Sequence, residues 1–361
     1  MENSWGRVNY LRRSPEALLM GDAFTAVADD EYTLFYNPAA LGRHGGLSLS
    51  PFKMGFGTTN IVAEKARFRN LPSNDPGALA DRFMGSKLYL AGNISSGFKF
   101  HHYGLSTFAS LTNYMRLENA IHPNMRLHYR YDRGLAFGGA FTFGDDFSRN
   151  NSQGNGLGMS VGLGFKRITR KGLAGRLDIF GNDLLQILQD SDSYDSIRSS
   201  LGHASGSGWG FDVGIEGNAL VDGTLINMGF SILDVGGTIF KKEEGNVSIP
   251  KQEMITNFGS SLSQDFGFFD YTVALDVHPM LTRADFGTKL HLGTRIGLLS
   301  LWDIYLGWNA GYWSYGAAMK IFMFRLIAGF YSVEGGNTFK ANEQKELLIS
   351  FNLVDFEFDA F

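Results

Sequence analysis

The stretch FDYTVALDVH, residues 269–278, changes polarity at almost every position. Successive side chains of a strand point to opposite faces, so this stretch predicts one apolar face and one more polar face. The first carries Phe269, Tyr271, Val273, Leu275 and Val277, and the second carries Asp270, Thr272, Ala274, Asp276 and His278. A strand that stands between lipid and a wet lumen has this pattern.

The same alternation recurs at residues 126–132, 209–216, 226–232, 288–298 and 302–309. A soluble β-sandwich also alternates, and it is the main alternative. Two features favour a membrane barrel. The apolar faces are heavy and aromatic, as lipid-facing girdles are, and the polar faces combine both signs of charge with glycine and serine.

The composition of the chain points to the same class. Its 361 residues include 46 glycines, 14% aromatic and only 19% charged residues, whereas soluble domains carry about 25% charge. The mean hydropathy is -0.10, and no apolar run reaches the roughly 18 residues that a spanning helix needs. The chain has no cysteine and a net charge of -4, so we expect no thiol chemistry and no nucleic-acid partner.

These patterns predict an all-β fold, a transmembrane antiparallel β-barrel of about 14 strands, because bacterial barrels favour even numbers. The barrel region covers residues 45–361. Its first strand begins near Gly46 and its last strand ends near Leu353, and residues 354–361 form a bulged continuation or a tail. Helical loop inserts are predicted at residues 75–84 and 178–189. They offer either ordinary loop packing or candidate contacts to a hydrophobic ligand, namely Leu79, Phe83, Leu184 and Leu188.

The stretch MGDAFTAVADDEYTLFYNPAALGR, residues 20–43, lacks sustained alternation. Through Ala28-Asp29-Asp30 and Asn37-Pro38-Ala39 it resembles the FadL-like outer-membrane transporter superfamily, which includes the PorV-type barrels. The resemblance implies an N-terminal lumenal hatch, residues 1–44, inside a fourteen-stranded barrel. The hatch or gate residues that it implies are Asp29, Asp30, Asn37, Pro38 and Ala39.

The residues of this stretch suit an enclosed position. Pro38 fixes its own φ and biases Asn37 away from helical geometry, so a turn is expected there. Four acidic residues, Asp22, Asp29, Asp30 and Glu31, would be costly in lipid unless they were paired. We therefore predict that they meet basic groups in a lumen lined by Arg126, Arg130, Asp270, Lys289 and Arg295.

Catalytic and metal-binding signals are weak. Residues 158–162 read Gly-Met-Ser-Val-Gly, but the Gly-x-Ser-x-Gly nucleophile motif needs a strand-turn-helix elbow, and this copy lies in alternating sequence. His101 and His102 are adjacent and would face opposite ways on a strand. His128, His278 and His291 are predicted to line the lumen. We expect no enzyme, no metal site and no cofactor.

The resemblance implies an outer-membrane barrel for passive uptake or transfer of hydrophobic small molecules such as fatty acids, in a Gram-negative bacterium. The alternative is a structural or adaptor barrel subunit of an outer-membrane secretion, motility or surface-assembly complex. A hydrolase is a third hypothesis, resting on the weak serine and histidine signals. Expected partners are membrane lipids, and hydrophobic small molecules or envelope proteins. Polar residues follow Met1 where a signal peptide has an apolar core, so we expect a mature chain from which an export signal has been removed.

Overall fold

The computed structural model describes residues 10–60, 65, 69–70, 78, 81–82, 84, 87–118, 124–145, 155–178 and 202–358. The four candidate ligand contacts of the loop inserts, Leu79, Phe83, Leu184 and Leu188, lie outside these residues. The second insert was predicted to begin at Asp178, and this boundary is wrong because β5 extends through Asp178.

Sixteen strands make up most of the described chain. They are β1 (Leu47–Thr59), β2 (Lys87–Phe100), β3 (Tyr103–Glu118), β4 (Asn124–Gly144), β5 (Gly156–Asp178), β6 (His203–Val221), β7 (Thr224–Leu233), β8 (Lys241–Gly245), β9 (Ile255–Asp265), β10 (Phe269–Val277), β11 (Leu290–Leu298), β12 (Trp302–Asn309), β13 (Tyr312–Ile321), β14 (Phe324–Glu334), β15 (Glu343–Asn352) and β16 (Phe356–Phe358).

Fourteen of these strands form one closed antiparallel barrel, which confirms the predicted fold class and strand number. Each strand pairs with its neighbours along the chain, except that β7 pairs with β9, and the pairing of β15 with β1 closes the ring. The short β8 pairs with β6 outside this order. β16 pairs with the first residues of β1, whereas β15 pairs with β1 from Lys53 onward. Between these two parts of β1, its register with β2 shifts between Ser50 and Lys53. Of the two alternatives predicted for residues 354–361, residues 356–358 thus follow the bulged continuation, and residues 359–361 lie outside the described residues.

The wall separates two environments, as β10 illustrates. Val273 and Leu275 are 46% and 37% exposed on the outer face, whereas Ala274 and Asp276 between them are almost fully buried. This confirms the faces that alternation predicted for β10. Large apolar side chains stay exposed around the outside, among them Phe98, Phe141, Phe165, Trp209, Met228 and Leu306. An apolar exterior of this size is stable only in contact with lipid, and the barrel is therefore transmembrane.

The two ends of the barrel differ in their connections. At one end, here called the turn end, five of the six hairpin connections have two or three residues, as at residues 222–223 and 266–268. At the other, here called the loop end, most connections are longer, as at residues 234–254 and 278–289.

Residues 10–43, here called the N-terminal segment, lie inside the barrel. The segment contains α1 (Pro15–Leu19) and two 3-10 helices (Thr33–Phe35 and Pro38–Arg43), and a third 3-10 helix (Phe286–Lys289) precedes β11. Among the described residues, no helix is long and apolar enough to cross a membrane. The main hydrophobic core joins the segment to inward-facing strand residues, including Phe24, Tyr36 and Leu41 with Phe108, Ile168, Tyr305 and Ile327.

Candidate functional site in the barrel interior

The Asn37-Pro38-Ala39 motif starts the second 3-10 helix of the N-terminal segment. Asn37 is extended, with φ -154° and ψ 106°, as expected before proline, and its side chain accepts a hydrogen bond from the Ala39 amide. Pro38 takes the first helical position, where the amide hydrogen that it lacks has no helical partner. The local sequence therefore fixes this turn.

The same motif is held to the barrel wall by buried and half-buried side chains. Asn37 Nδ2 donates to Glu216 Oε2 at 3.2 Å, and Arg43 Nε donates to Glu216 Oε1 at 2.5 Å. Ser160 Oγ donates to the Ala39 carbonyl at 2.8 Å. The serine of the Gly-Met-Ser-Val-Gly stretch is thus buried inside β5 and bonded to the segment, rather than placed at a turn.

Three of the four acidic residues in the stretch 20–43 pair with basic groups, and only one of these basic groups is a predicted partner. Asp29 lies 3.7 Å from Arg295, which confirms one expected pair, and Arg295 also lies 3.9 Å from Asp270. Glu31 pairs with Lys53 of β1 at 2.9 Å. Asp22 pairs with Arg13 of the segment itself, and Asp30 accepts hydrogen bonds from Ser14 Oγ and the Tyr32 amide.

The other predicted lumen cations are occupied elsewhere. Arg126 pairs with Glu118, and Arg130 contacts Asp132 and the Tyr10 carbonyl. The placement of Lys289 within a lumen-facing strand was wrong: it ends the 3-10 helix before β11 and donates to two loop carbonyls, those of Met280 and Thr282. The alternating pattern begins at residue 288, two residues before the strand does, so it does not mark the strand boundary.

A second ion network was missed by the sequence analysis. Glu16 of α1 is 2% exposed and lies 3.1 Å from Arg325 of β14, which also contacts Asp303 at 2.7 Å. Burial raises the pKa of the Glu16 carboxyl, and the Arg325 guanidinium opposes that rise. The partners are far apart in sequence, so no local pattern links them.

Asp276 of β10 holds the backbone of the segment. Its Oδ2 accepts hydrogen bonds from the amides of Phe24 and Thr25 at 2.9 and 2.7 Å. Next to it, His278 Nε2 lies 2.9 Å from the Asp22 carbonyl oxygen and His291 Nδ1 lies 2.9 Å from the Gly21 carbonyl oxygen. These contacts place two of the predicted lumen histidines against the segment.

Asp22, His278 and His291 also present ligand atoms within 4.8 Å of one another, a grouping that could hold a metal ion. However, the two imidazole rings stack in parallel, with centroids 3.9 Å apart, so their nitrogen lone pairs run side by side rather than converge. The ring nitrogens also face the carbonyl contacts described above and the Tyr10 hydroxyl. We interpret the group as a structural contact between the segment and the wall.

Inward-facing glycines allow the wall to approach the segment closely. A Cβ added to them would meet segment atoms at separations far below van der Waals contact, at 2.2 Å from Ala39 N for Gly162, 2.0 Å from Asn37 Oδ1 for Gly214, 2.4 Å from Met20 O for Gly293, and 2.0 Å from Gly21 N for Gly307. The segment and the wall are therefore fitted to each other on several strands.

Cavities lie at both ends of the segment inside the barrel. A cavity of about 620 Å³ at the turn end is lined by segment residues such as Asp29, Leu41 and Arg43. A cavity of about 840 Å³ at the loop end has Tyr10 and Arg13 of the segment among its lining residues. The segment therefore lies between these two cavities.

The loop-end cavity combines apolar walls with basic groups. Its apolar and aromatic lining includes Tyr10, Tyr129, Val247, Ile249, Pro250, Pro279 and Val333. Its described charged lining comprises five basic residues and two acidic ones, namely Arg13, Arg130, Arg170, Lys251 and Arg283 against Glu253 and Glu334. Apart from Arg130, sequence reasoning did not single these residues out, because they come from separate strands and loops.

Arg170 is the most firmly held of these basic groups. It is buried, binds Asp132 with Nε at 2.7 Å and Nη2 at 3.1 Å, and donates to Gln252 and the Pro250 carbonyl. This network ties β4 and β5 to the loop that follows β8. These hydrogen bonds cross-link three parts of the cavity wall.

No known family model and no curated protein matches the chain. Solved structures with similar folds include the Pseudomonas putida toluene transporter TodX (11% identity, 94% of this chain and 97% of that chain covered, TM-score 0.45). They also include the Ralstonia pickettii toluene transporter TbuX (10% identity, 97% of this chain and 100% of that chain covered, TM-score 0.42). A third is the CymD monoaromatic hydrocarbon channel (12% identity, 97% of this chain and 97% of that chain covered, TM-score 0.42).

Proposed function

We propose that this chain is an outer-membrane channel for the passive uptake of hydrophobic small molecules, with amphipathic carboxylates such as fatty acids as its substrate class. The observation that carries the proposal is the loop-end cavity of about 840 Å³, with apolar walls, an excess of basic side chains and the N-terminal segment in its lining. Longer loops usually face the outside in such barrels, which makes this cavity the entry site.

The lining chemistry supports this substrate class. An alkyl chain is favoured against Ile249, Val333 and Pro279, because contact there removes apolar surface from water. A carboxylate is favoured beside Arg283, because a guanidinium group donates charge-assisted hydrogen bonds, whereas Lys251 already pairs with Glu253 at 3.1 Å. Pockets of this size and mixture are typical small-molecule sites.

In this proposal the N-terminal segment is a hatch. It lies between the entry cavity and the turn-end cavity, and hydrogen bonds and ion pairs fix it to the wall, as at Glu216 and Asp276. Transfer then requires a shift of the segment. The proposal assigns no catalytic role, since Ser160 is engaged by the Ala39 carbonyl.

Binding of decanoate and decanol to the purified barrel in detergent tests the proposal. The parent should prefer decanoate. Ile249→Gln should weaken both ligands about tenfold, because partial burial of an isoleucine is worth on the order of 1.4 kcal/mol. Arg283→Gln should weaken decanoate alone. Phe322→Gln is the control, because Phe322 is 82% exposed at the turn end.

Two results would contradict the proposed function. Loss of binding in Phe322→Gln to the same extent as in Ile249→Gln would show that the cavity is not the site. A parent barrel that binds neither ligand, and that copurifies with an envelope protein, would overturn the proposal in favour of the adaptor alternative.

A further inference from the structure

Two arginines project from the outer face of the wall. Arg133 of β4 and Arg167 of β5 are both exposed, whereas their chain neighbours Asp132, Lys166 and Ile168 are buried. In the β4–β5 register Arg133 is opposite Thr169 and Leu135 is opposite Arg167. The two arginines are therefore diagonal neighbours, with Cα atoms about 7–8 Å apart, close enough for both guanidinium groups to reach one anion.

The arginines stand where the apolar band of the wall ends. On β4 the outward side chains at Leu135, Phe137, Phe141 and Phe143 are exposed apolar groups, and on β5 the band runs from Leu157 to Phe165. Each band covers nine residues. At about 3.3 Å per residue and a tilt of about 40°, this length spans about 23 Å of membrane, close to the apolar height of about 25 Å usual for such barrels.

Both arginines lie just beyond these apolar bands. Arg133 precedes the β4 band and Arg167 follows the β5 band, both on the side toward the loop end. They therefore lie at the level of lipid headgroups rather than of acyl chains. Arg167 is additionally held against Trp209, with its guanidinium carbon 5.1 Å from the ring centroid.

A groove in the outer wall adjoins both arginines. It has a volume of about 550 Å³, with Phe52, Ile94 and Leu135 as apolar lining and Ser96 and Thr107 as hydroxyl groups. None of its described lining residues is acidic. Within the part of the chain that the structure describes, neither arginine lies within salt-bridge distance of a carboxylate.

We propose that this groove binds a phosphate-bearing lipid of the outer leaflet. Arg133 and Arg167 bind the phosphate, since the planar guanidinium group matches phosphate oxygens in a two-pronged hydrogen bond. An acyl chain lies along Phe52, Ile94 and Leu135. A lipid is the occupant that fits, because the groove opens on the lipid-facing wall and joins headgroup-level cations to an apolar floor. The site is separate from the interior cavity and independent of the transport proposal.

Native mass spectrometry of the full chain in mild detergent tests this site. The probes are bis-phosphorylated lipid A and the same lipid after removal of its phosphates. The parent should retain the phosphorylated form preferentially. R133Q/R167Q should weaken its retention about thirty-fold, because each basic side chain near a charged membrane surface contributes about a fivefold change in affinity.

The control is K340Q/K345Q, which removes the same charge at two exposed positions in and beside the β14–β15 connection. It should bind lipid A as the parent does. Heat-modifiable gel migration reports whether each variant is folded. If R133Q/R167Q does not fold, R133K/R167K decides the matter: it keeps the charge, loses the planar fork, and should still weaken retention several-fold.

Three results would overturn the proposal. The first is equal loss of lipid A in K340Q/K345Q. The second is equal retention of the phosphorylated and phosphate-free lipids by the parent. The third is displacement of lipid A by inorganic phosphate, which would mean that the arginines recognise a soluble anion rather than a membrane lipid.

Discussion

A methyl group added at Gly307 should displace the N-terminal segment from the barrel wall. The added Cβ would lie 2.0 Å from Gly21 N, whereas ordinary contact begins at 3.4 Å, so the backbone has to move by about 1.4 Å. Gly21 has little freedom to do so: it adopts φ +66°, and its carbonyl oxygen lies 2.9 Å from His291 Nδ1. Overpacking costs about 1–3 kcal/mol and a lost hydrogen bond about 1 kcal/mol, so we expect Gly307→Ala to destabilise the barrel by about 2–4 kcal/mol.

Two measurements check this expectation. The midpoint of heat-modifiable gel migration should fall, and planar-bilayer recordings should show more frequent or larger conductance, because the displaced segment leaves a wider path. Gly217→Ala is the matched control, since nothing lies within 4 Å of a Cβ added there. If Gly307→Ala and Gly217→Ala behaved alike in both assays, the close fit between β12 and the segment would be refuted.

Three further predictions concern the wall, the segment and a buried ion pair. Val273→Arg places a charge on the lipid-facing side of β10 and should destabilise the barrel by roughly 2–4 kcal/mol near the midplane. Leu281→Arg, at a loop position 72% exposed, should not destabilise it. Equal losses of stability in urea unfolding would contradict the assigned face. Deletion of residues 14–42 should increase small-solute leakage in liposomes, because it empties the middle of the barrel; a folded deletion variant as tight as the parent would show that the segment is not the barrier. Arg325→Met leaves the buried Glu16 without its guanidinium partner and should lower the free energy of unfolding by about 3–5 kcal/mol. Lys345→Met breaks an exposed pair with Glu343 and should lower it by at most about 1 kcal/mol. Similar losses of stability in the two variants would argue against the Glu16 contact.

Alternation along the sequence determines which side chains of the wall face outward and which face inward. The faces of β10 follow from a local rule, because a strand between lipid and lumen changes polarity at each step. The number of strands came from counting such segments together with the preference of bacterial barrels for even numbers. The rule failed at Lys289, which lies just outside β11 and so no longer obeys strand geometry. The turn at Asn37 and Pro38 is local in the same sense, since proline restricts its own backbone and that of the residue before it.

Most of the side-chain contacts inside the barrel depend on the tertiary structure. Arg295 meets Asp29 as expected, but Glu216 meets Arg43 and Glu16 meets Arg325 across long stretches of sequence. Which inward side chains meet depends on the register of all fourteen strands and on how the ring closes, and neither quantity is written in any one segment. For the same reason, alternation places Gly307 on the inner face and Gly217 on the outer face, but only the segment in its place shows that a backbone nitrogen lies 2.0 Å from a Cβ added at Gly307.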